Sequence, residues 1–221
     1  MYLTWTALQL AEPSPVCPWR PQGARYTQAG QAGAGTAAMP TFDGVWWSVL
    51  CTWDDAEAAA AAAPDSSVGQ AWHVVLHAVS FRGDARLAGG AQPFGALPER
   101  GKVAGAAAVI TLAGLGRDRE RTGEFFERFV RLGTQIRTAP GHRASVVQAP
   151  EDGALMTFSA WSTLRDAVTW AYHRPEHVET VERQEHHQLL DTGGFVRCAV
   201  LSSSGTLDGV DPLAGLTGSA V

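Results

Sequence analysis

The chain has 221 residues, of which 45% are hydrophobic and 18% are charged, as is usual for a globular protein. Its formal net charge of −5 argues against a nucleic-acid partner, because phosphate binding requires a basic surface. No apolar run reaches about eighteen residues, so no membrane-spanning helix is predicted. Three widely spaced cysteines without a CxxC pair argue against a disulfide framework, and we expect a cytoplasmic protein.

The first half of the chain predicts strand, loop, strand, helix and strand. Residues 2–10 alternate as a strand does, whereas the Pro-, Gly- and Ala-rich stretch 11–40 predicts a loop with a short strand near 25–28. A strand follows in GVWWSVLCTW. DDAEAAAAAAP then predicts a short helix with Asp54 or Asp55 as its N-cap. AWHVVLHAVSF predicts the last strand of this half.

The second half predicts a fuller set of elements. Strands are predicted in AGAAAVITLAG, RASVVQA, GALMTFSAW and GFVRCAVLSSSG. The stretch 162–190 is helical but interrupted at Pro175. Between the first two strands, RTGEFFERFVRLGTQIRTAPG predicts an amphipathic helix. One face of that helix carries Phe125, Phe126, Phe129, Gly133 and Ile136.

The order of elements predicts an internal duplication. The second half spells βαββαβ, and the first half spells the same with its first helix lost or reduced. This unit is the ferredoxin-like split βαβ motif. We therefore predict an α+β protein with tandem ferredoxin-like halves, residues 1–100 and 101–213, and a flexible tail at 214–221. Two such sheets facing each other would enclose an apolar cavity, with the helices outside.

Four of the seven histidines lie in WAYHRPEHVETVERQEHH. Pro175 should end one helix near His173 and Arg174 and begin another, since proline lacks an N–H and disfavours helix in the residue before it. His173 and His177 then share no helical face, and His186 lies about half a turn out of phase. A multi-histidine zinc site on this segment is therefore not expected, and HExxH is absent.

A single histidine can still ligate a haem, because haem iron needs one strong protein ligand. His177 is the best placed, in the first turn of the last helix near the cavity. The alternative is a partly buried capping or surface histidine. His186 and His187 are expected on a solvated charged face, and His142, after Pro-Gly in a turn, is expected to be exposed.

Further candidates lie on the predicted strands. His73 and His77 share one strand face, either as distal acid–base groups toward a ligand or as part of an exposed polar face. Phe158 and Trp161 are either pocket walls or core residues. The absence of GxxxxGK[ST], GxGxxG and GxSxG motifs argues against kinases, nicotinamide dehydrogenases and hydrolases.

The second half resembles the spheroidene monooxygenase family, whose members are carotenoid oxygenases. The matching stretches are AVITLAGL, FFERFV, APGHRASVVQAPEDGALMTFSAWSTLRDAVTWAYHRPEHVETVER and SSGTLDGVDPL. VWWSVLCTWDD and GGAQPFG in the first half match more loosely. The resemblance covers most of residues 1–213 and is strongest over 153–183. It implies the dimeric α+β barrel superfamily, which also holds chlorite dismutase-like and aldoxime dehydratase-like haem proteins.

The resemblance further implies haem b and an oxidative reaction on an apolar small molecule, carotenoid-like or another specialised metabolite. His177, in YHRPEH, is then the expected axial ligand. Arg174 is expected to pair with a haem propionate, since a guanidinium suits a carboxylate. We expect a homodimer with an external electron donor such as ferredoxin. The alternatives are a haem-dependent lyase acting on an aldoxime or an N–O or N–N compound, and a non-catalytic protein that binds a hydrophobic metabolite.

Overall fold

The computed structural model describes residues 1–34, 42–84, 86–150, 154–187 and 189–221. Its strands are β1 (Tyr2–Gln9), β2 (Tyr26–Ala34), β3 (Trp46–Trp53), β4 (Gln70–Gly83), β5 (Val103–Gly105), β6 (Ala107–Gly114), β7 (His142–Pro150), β8 (Leu155–Trp161), β9 (Thr192–Gly205) and β10 (Gly218–Ala220). Its helices are α1 (Ala56–Ala61), α2 (Arg119–Ile136), α3 (Leu164–His173) and α4 (Pro175–His187). Within the described ranges, no helix is long and apolar enough to cross a bilayer.

Eight strands close into an antiparallel barrel in the order β1-β3-β2-β7-β8-β6-β9-β4. The first half supplies β4, β1, β3 and β2, and the second half supplies β9, β6, β8 and β7 in the equivalent order. The β4–β9 and β2–β7 ladders join the two halves. The predicted α+β class with two ferredoxin-like halves is confirmed.

The interior of the barrel is filled by apolar side chains. The ring of Phe158 stacks on Trp5 with centroids 5.1 Å apart and meets Trp72 edge-on at 5.6 Å. All three side chains are fully buried. The prediction of a cavity between the two sheets is therefore wrong. In a closed barrel of eight strands, the inward side chains are long enough to fill the space that the sheets enclose.

The outer face of the first-half sheet is covered by α1 and by the proline-rich segment. Cys17 and Trp19 of that segment pack against a buried cluster that includes Trp47 and Trp53. They cover the surface where the second half has α2. The segment predicted as a loop with a short strand near 25–28 contains all of β2, which extends to Ala34 and pairs with β3 and β7. Its Gly- and Ala-rich sequence has little strand propensity, so pairing on both edges decides its conformation.

The chain's last residues, predicted as a flexible tail, contain a short strand. Gly218–Ala220 pairs antiparallel with Val103–Gly105 in a small second sheet. Just before it, Leu213 is buried against the main core.

Two helix boundaries follow the predicted chemistry. Asp55, one of the two predicted N-caps, accepts a hydrogen bond from the backbone N–H of Ala58 at the start of α1. α3 ends at His173, Arg174 is extended with φ −86° and ψ 117°, and α4 begins at Pro175. The predicted break is confirmed, because the residue before a proline avoids helical angles.

Candidate functional site

A cavity of about 750 Å³ lies between the outer face of the second-half sheet and helices α2, α3 and α4. Side chains of a strand alternate, so on β8 the Phe158 ring enters the barrel while Thr157 and Ser159 face the cavity. The volume is in the range of about 300–1,000 Å³ typical of small-molecule sites. A smaller cavity of about 320 Å³, near Gly114 and Asp191, lies away from the predicted site residues.

Helix α2 forms the outer wall of the cavity. Every residue of α2 keeps part of its surface exposed, although its inner face is strongly apolar. That face therefore borders the cavity instead of packing closely on the sheet. The α2 residues that line the cavity are Phe125, Phe129, Leu132, Gly133 and Ile136.

Ion pairs hold α2 to α4 above the cavity. Glu124 accepts hydrogen bonds from Arg183 at 2.8 Å and from Arg128 at 3.1 Å, and Arg128 also reaches Glu179 at 3.1 Å. The bond from Arg183 is the main cause that lowers the pKa of Glu124. Glu179 and Arg183 are exposed, whereas Glu124 and Arg128 are only partly exposed. Solvent weakens these pairs, so each contributes modestly to stability, but together they connect the two helices.

His177 lies on the cavity wall at the start of α4. Its Nδ1 atom is buried and, among the described residues, has no hydrogen-bond partner. Burial lowers the pKa of His177, and an interaction with the backbone of Ala171 only partly opposes this effect. The imidazole is therefore neutral near pH 7, which is the form that ligates a metal.

Two tryptophans connect His177 to the sheet. The Trp170 ring meets His177 edge-on with centroids 4.7 Å apart, and Trp161 lies 6.1 Å from Trp170. Both indoles line the cavity. Trp161 donates to the Ser159 hydroxyl at 2.9 Å. The buried Nε1 of Trp170 finds no partner in the described part of the chain.

A serine and a histidine form a polar pair at the cavity wall. Ser145 lines the cavity, and its Oγ lies 2.7 Å from Nε2 of His142. The His142 ring also meets Trp161 edge-on at 5.2 Å. Burial lowers the pKa of His142 to about 4, so this ring is neutral near pH 7. The prediction of an exposed His142 is wrong because Trp161 covers the ring.

Three arginines border the cavity. Arg82 and Arg197 extend from β4 and β9, and Arg137 is the C-cap of α2. The guanidinium of Arg197 lies 5.1 Å from the centroid of the Phe195 ring. Asp84, which also borders the cavity, accepts a hydrogen bond from the backbone of Gly193. The net charge of these groups is positive, which suits a carboxylate.

The structure brings only some of the predicted site residues together. His177 and Trp161 line the cavity, and Phe158 borders it while its ring lies in the barrel core. Arg174 lies outside the cavity wall, 46% exposed, and donates to Gln135 at 3.2 Å beside Glu176. The propionate role of Arg174 stays a prediction that this position does not favour.

His73 and His77 lie on the outer face of the other half and do not meet His177. His73 is buried under α1, with Nδ1 2.8 Å from Thr6 Oγ1 and Nε2 3.1 Å from the Ala59 carbonyl oxygen. Burial lowers the pKa of both histidines. His77 stacks on Tyr2 at 5.2 Å. Their distal role remains a prediction without geometric support, and the side chains of His186 and His187 lie outside the described set.

Sequence reasoning missed Ser145, Trp170 and Arg197 as cavity residues. Strand alternation places Ser145 and Arg197 on the outward face of the sheet, but the cavity was predicted at the inward face. Trp170 lies seven positions before His177. Because the helix breaks at Pro175, helical periodicity does not predict the contact between the two rings.

The chain's own residues are compatible with a haem in this cavity. His177 offers a neutral imidazole whose buried Nδ1 has no partner in the part of the chain that the structure describes. The walls offer apolar area from Phe125, Phe129 and the two indoles. Arg197 and its neighbours at the rim can pair with carboxylates.

Comparison with known proteins gives the fold. No protein-family model and no curated protein match the chain at the sequence level. A solved aldoxime dehydratase aligns with a TM-score of 0.50 at 9% identity, covering 100% of this chain and 84% of that chain. A second, in complex with butyraldoxime, gives a TM-score of 0.50 at 9% identity, with 100% and 82% coverage.

A third solved structure is of a candidate monooxygenase from Fusobacterium nucleatum subsp. nucleatum. It aligns with a TM-score of 0.44 at 10% identity over 95% of this chain and 96% of that chain. At such identities a likeness concerns architecture. The chain therefore has the α+β barrel fold that the aldoxime dehydratase structures also have.

Proposed function

We propose that this protein is a haem-dependent monooxygenase that acts on an apolar small molecule, with haem b ligated by His177. One observation carries the proposal. A half-buried, neutral imidazole lies on the wall of a large, mainly apolar cavity, and its buried Nδ1 has no hydrogen-bond partner among the described residues. A buried polar atom without a partner destabilises the fold, so its retention favours a bound group.

The chain's residues have distinct roles in this proposal. Trp170 fixes the ring orientation of His177 by edge contact. Arg197 pairs with a propionate, in place of the predicted Arg174. Phe125 and Phe129 exclude water and contact an apolar substrate. The exclusion of water strengthens every polar interaction inside the cavity.

A haem at this position supplies activation of dioxygen for insertion of one oxygen atom into the substrate. The two electrons for this reaction come from an external donor such as ferredoxin, or peroxide replaces both dioxygen and donor. The resemblance of the second half also supports a homodimer, which sedimentation equilibrium would measure. Carotenoid-like compounds and other apolar specialised metabolites are the substrate class.

The test is a haemin titration followed by absorption spectroscopy. We expect wild type to develop a sharp Soret band with one equivalent of haemin, and His177→Ala to lose or shift it. His173→Ala, which removes an exposed histidine four residues earlier, is the matched control and should keep the wild-type spectrum. If wild type takes up no haemin, the proposal fails and the cavity binds a hydrophobic metabolite without a metal. A band unchanged in His177→Ala would move the ligand elsewhere.

A haem-dependent lyase is the second candidate. Its support is the fold shared with aldoxime dehydratases, one of them in complex with butyraldoxime, together with the Ser145–His142 pair in the cavity. Such a lyase would dehydrate an aldoxime to a nitrile without oxygen. Anaerobic incubation of the reduced, haemin-loaded protein with butyraldoxime separates the two functions, because only the lyase would form butyronitrile.

A further inference from the structure

Two arginines lie on neighbouring strands of the sheet that forms the floor of the cavity. Arg82 lies directly opposite Phe195 in the β4–β9 ladder, and Arg197 follows two positions after Phe195 on β9. Side chains alternate along a strand, so Arg197 shares the outward face with Phe195, and all three residues line the cavity. Diagonal neighbours of this kind lie about 7–8 Å apart, so two long side chains can converge on one ligand group.

Neither arginine has a counter-ion in the part of the chain that the structure describes. There the side chain of Arg82 makes no hydrogen bond or ion pair, and that of Arg197 makes only its contact with the Phe195 ring at 5.1 Å. Asp84 also lines the cavity, but its carboxylate accepts from the backbone N–H of Gly193 at 3.0 Å. Two neighbouring cations repel each other, so an anion bound between them would stabilise both.

The chemistry of the two side chains indicates which anion they would bind. A guanidinium presents its N–H donors in one plane, which matches the two oxygens of a carboxylate. Arg82 is exposed and Arg197 is half-buried, so a ligand can reach both. We propose that Arg82 and Arg197 form a carboxylate subsite of the cavity, so that the ligand is an apolar molecule that carries a carboxylate. This inference rests on the proposed function only in taking the same cavity as the ligand site, and it does not require haem.

The register of the strands places the rest of the ligand. Arg197 lies opposite Val109 of β6, and Val109 lies opposite Ser159 of β8. Two strand spacings, or about 10 Å, therefore separate Arg197 from Ser159. Trp161, two positions further along β8, connects to His177 through one intervening ring. A carboxylate held at Arg197 thus lets the apolar part of the ligand cross β6 with its far end toward Trp161 and His177.

Two kinds of molecule carry this chemistry. One is a free apolar acid long enough to span the two strand spacings. The other is haem, one of whose propionates is already assigned to Arg197. A free acid would bind beside a bound haem, whereas a propionate would occupy the subsite and exclude the acid. Binding of an acid before and after haemin loading therefore distinguishes the two sources.

The experiment compares octanoate with octanamide, which share a chain and differ in the charge of the polar end. Binding to the protein as purified is followed by tryptophan emission, because Trp161 and Trp170 line the cavity. We expect wild type to bind octanoate about tenfold more tightly than octanamide, which is the effect of a charge-assisted hydrogen bond. Arg82→Gln and Arg197→Gln should each lose most of this preference.

Arg174→Gln is the matched control, because it removes the same charge at a position outside the cavity wall. It should keep the wild-type preference, and circular dichroism checks that each variant is folded. Octanoate binding is then repeated on the haemin-loaded protein. A preference that persists there assigns the carboxylate to a free acid. If haemin abolishes octanoate binding, and Arg82→Gln weakens the binding of haemin but not of haemin dimethyl ester, the carboxylate is a propionate.

The subsite is overturned if Arg82→Gln leaves both the octanoate preference and haemin binding at their wild-type values, or if Arg174→Gln lowers them as much. This failure is distinguishable from failure of the proposed function. An octanoate preference without haemin uptake refutes the haem proposal alone. Haemin uptake with no effect of Arg82→Gln on either ligand refutes the subsite alone.

Discussion

The indole of Trp170 and the imidazole of His177 meet edge-on at 4.7 Å, and each ring has a buried nitrogen without a hydrogen-bond partner among the described residues. Two such atoms side by side on a cavity wall would be unfavourable unless something binds there. The pair therefore defines the end of the cavity at which we place the chemistry.

Substitutions at Trp170 should distinguish the contribution of the aromatic ring to stability from that of its N–H group. Trp170→Phe removes a donor that has no partner among the described residues and keeps an aromatic contact, so we expect the free energy of unfolding to change by less than about 1 kcal/mol. Trp170→Ala removes the contact with both His177 and Trp161 and should cost about 2–3 kcal/mol. Urea denaturation measures both. Equal losses in the two variants would mean that the N–H itself contributes a bond.

The stability of the fold should fall in mild acid through His142. Burial lowers the pKa of His142 to about 4 in the folded chain, against an ordinary value of 6.5. Between these two pH values the unfolded chain is protonated at His142 and the folded chain is not, so acid favours unfolding. The contribution is complete above pH 6.5 and is lost as the pH falls toward 4. We expect a loss of about 2 kcal/mol, since partial exposure reduces the full effect of the shift.

Urea denaturation at about pH 7 and at about pH 4.5 measures this loss of stability, because the two pH values span most of the range between the two pKa values. His142→Phe should show a weaker pH dependence than wild type, and His173→Gln, at an exposed site, should match wild type. His73, His77 and His177 have pKa values lowered by burial and contribute in the same direction. A His142→Phe profile identical to that of wild type would contradict the burial of His142.

Two glycines of α2 provide a test of the cavity itself. Gly133 lines the cavity, whereas a side chain at Gly123 would enter open space. Replacing either with leucine should raise helix stability by up to about 1 kcal/mol, because glycine is a poor helix former. Only Gly133→Leu should lower haemin uptake, measured by absorption titration. Equal uptake in both variants would place the ligand outside this cavity.

The assignment of the propionate partner can be decided between two arginines. Arg197 borders the cavity and Arg174 does not. Arg197→Leu should weaken haemin binding about tenfold, as expected for loss of a charge-assisted hydrogen bond, and Arg174→Leu should leave it unchanged. Haemin dimethyl ester, which lacks the carboxylates, should bind wild type and Arg197→Leu alike. A loss confined to Arg174→Leu would restore Arg174 as the partner.

The local features of the chain were predictable because they depend on short-range chemistry. The break before Pro175, the N-cap at Asp55 and the alternation of His73 and His77 each follow from backbone geometry within a few residues. The order of elements predicted the tandem halves. The strand β2 was missed in large part, because its pairing partners and not its own residues stabilise it.

The candidate site was predictable only in part. His177 was identified from its place after the helix break, yet its neighbours Trp170 and Ser145 were not. The sequence shows that a strand has two faces, but it does not show which of them meets a core and which meets a cavity. Arg174 and Arg197 illustrate the limit, since both are arginines near predicted functional segments, and only the tertiary structure shows that Arg174 donates to Gln135 of α2 outside the cavity.

The sequence by itself thus determined most of the elements, their order and the α+β class, and it led to the hypothesis of His177 as a ligand, because propensity, capping and periodicity are local properties. The tertiary structure decided where the cavity lies and which side chains meet there. Closure of eight strands filled the inward faces with core, and the helices of the second half left space on the outward face. That outcome depends on how side chains of distant segments fill volume, which no local pattern specifies.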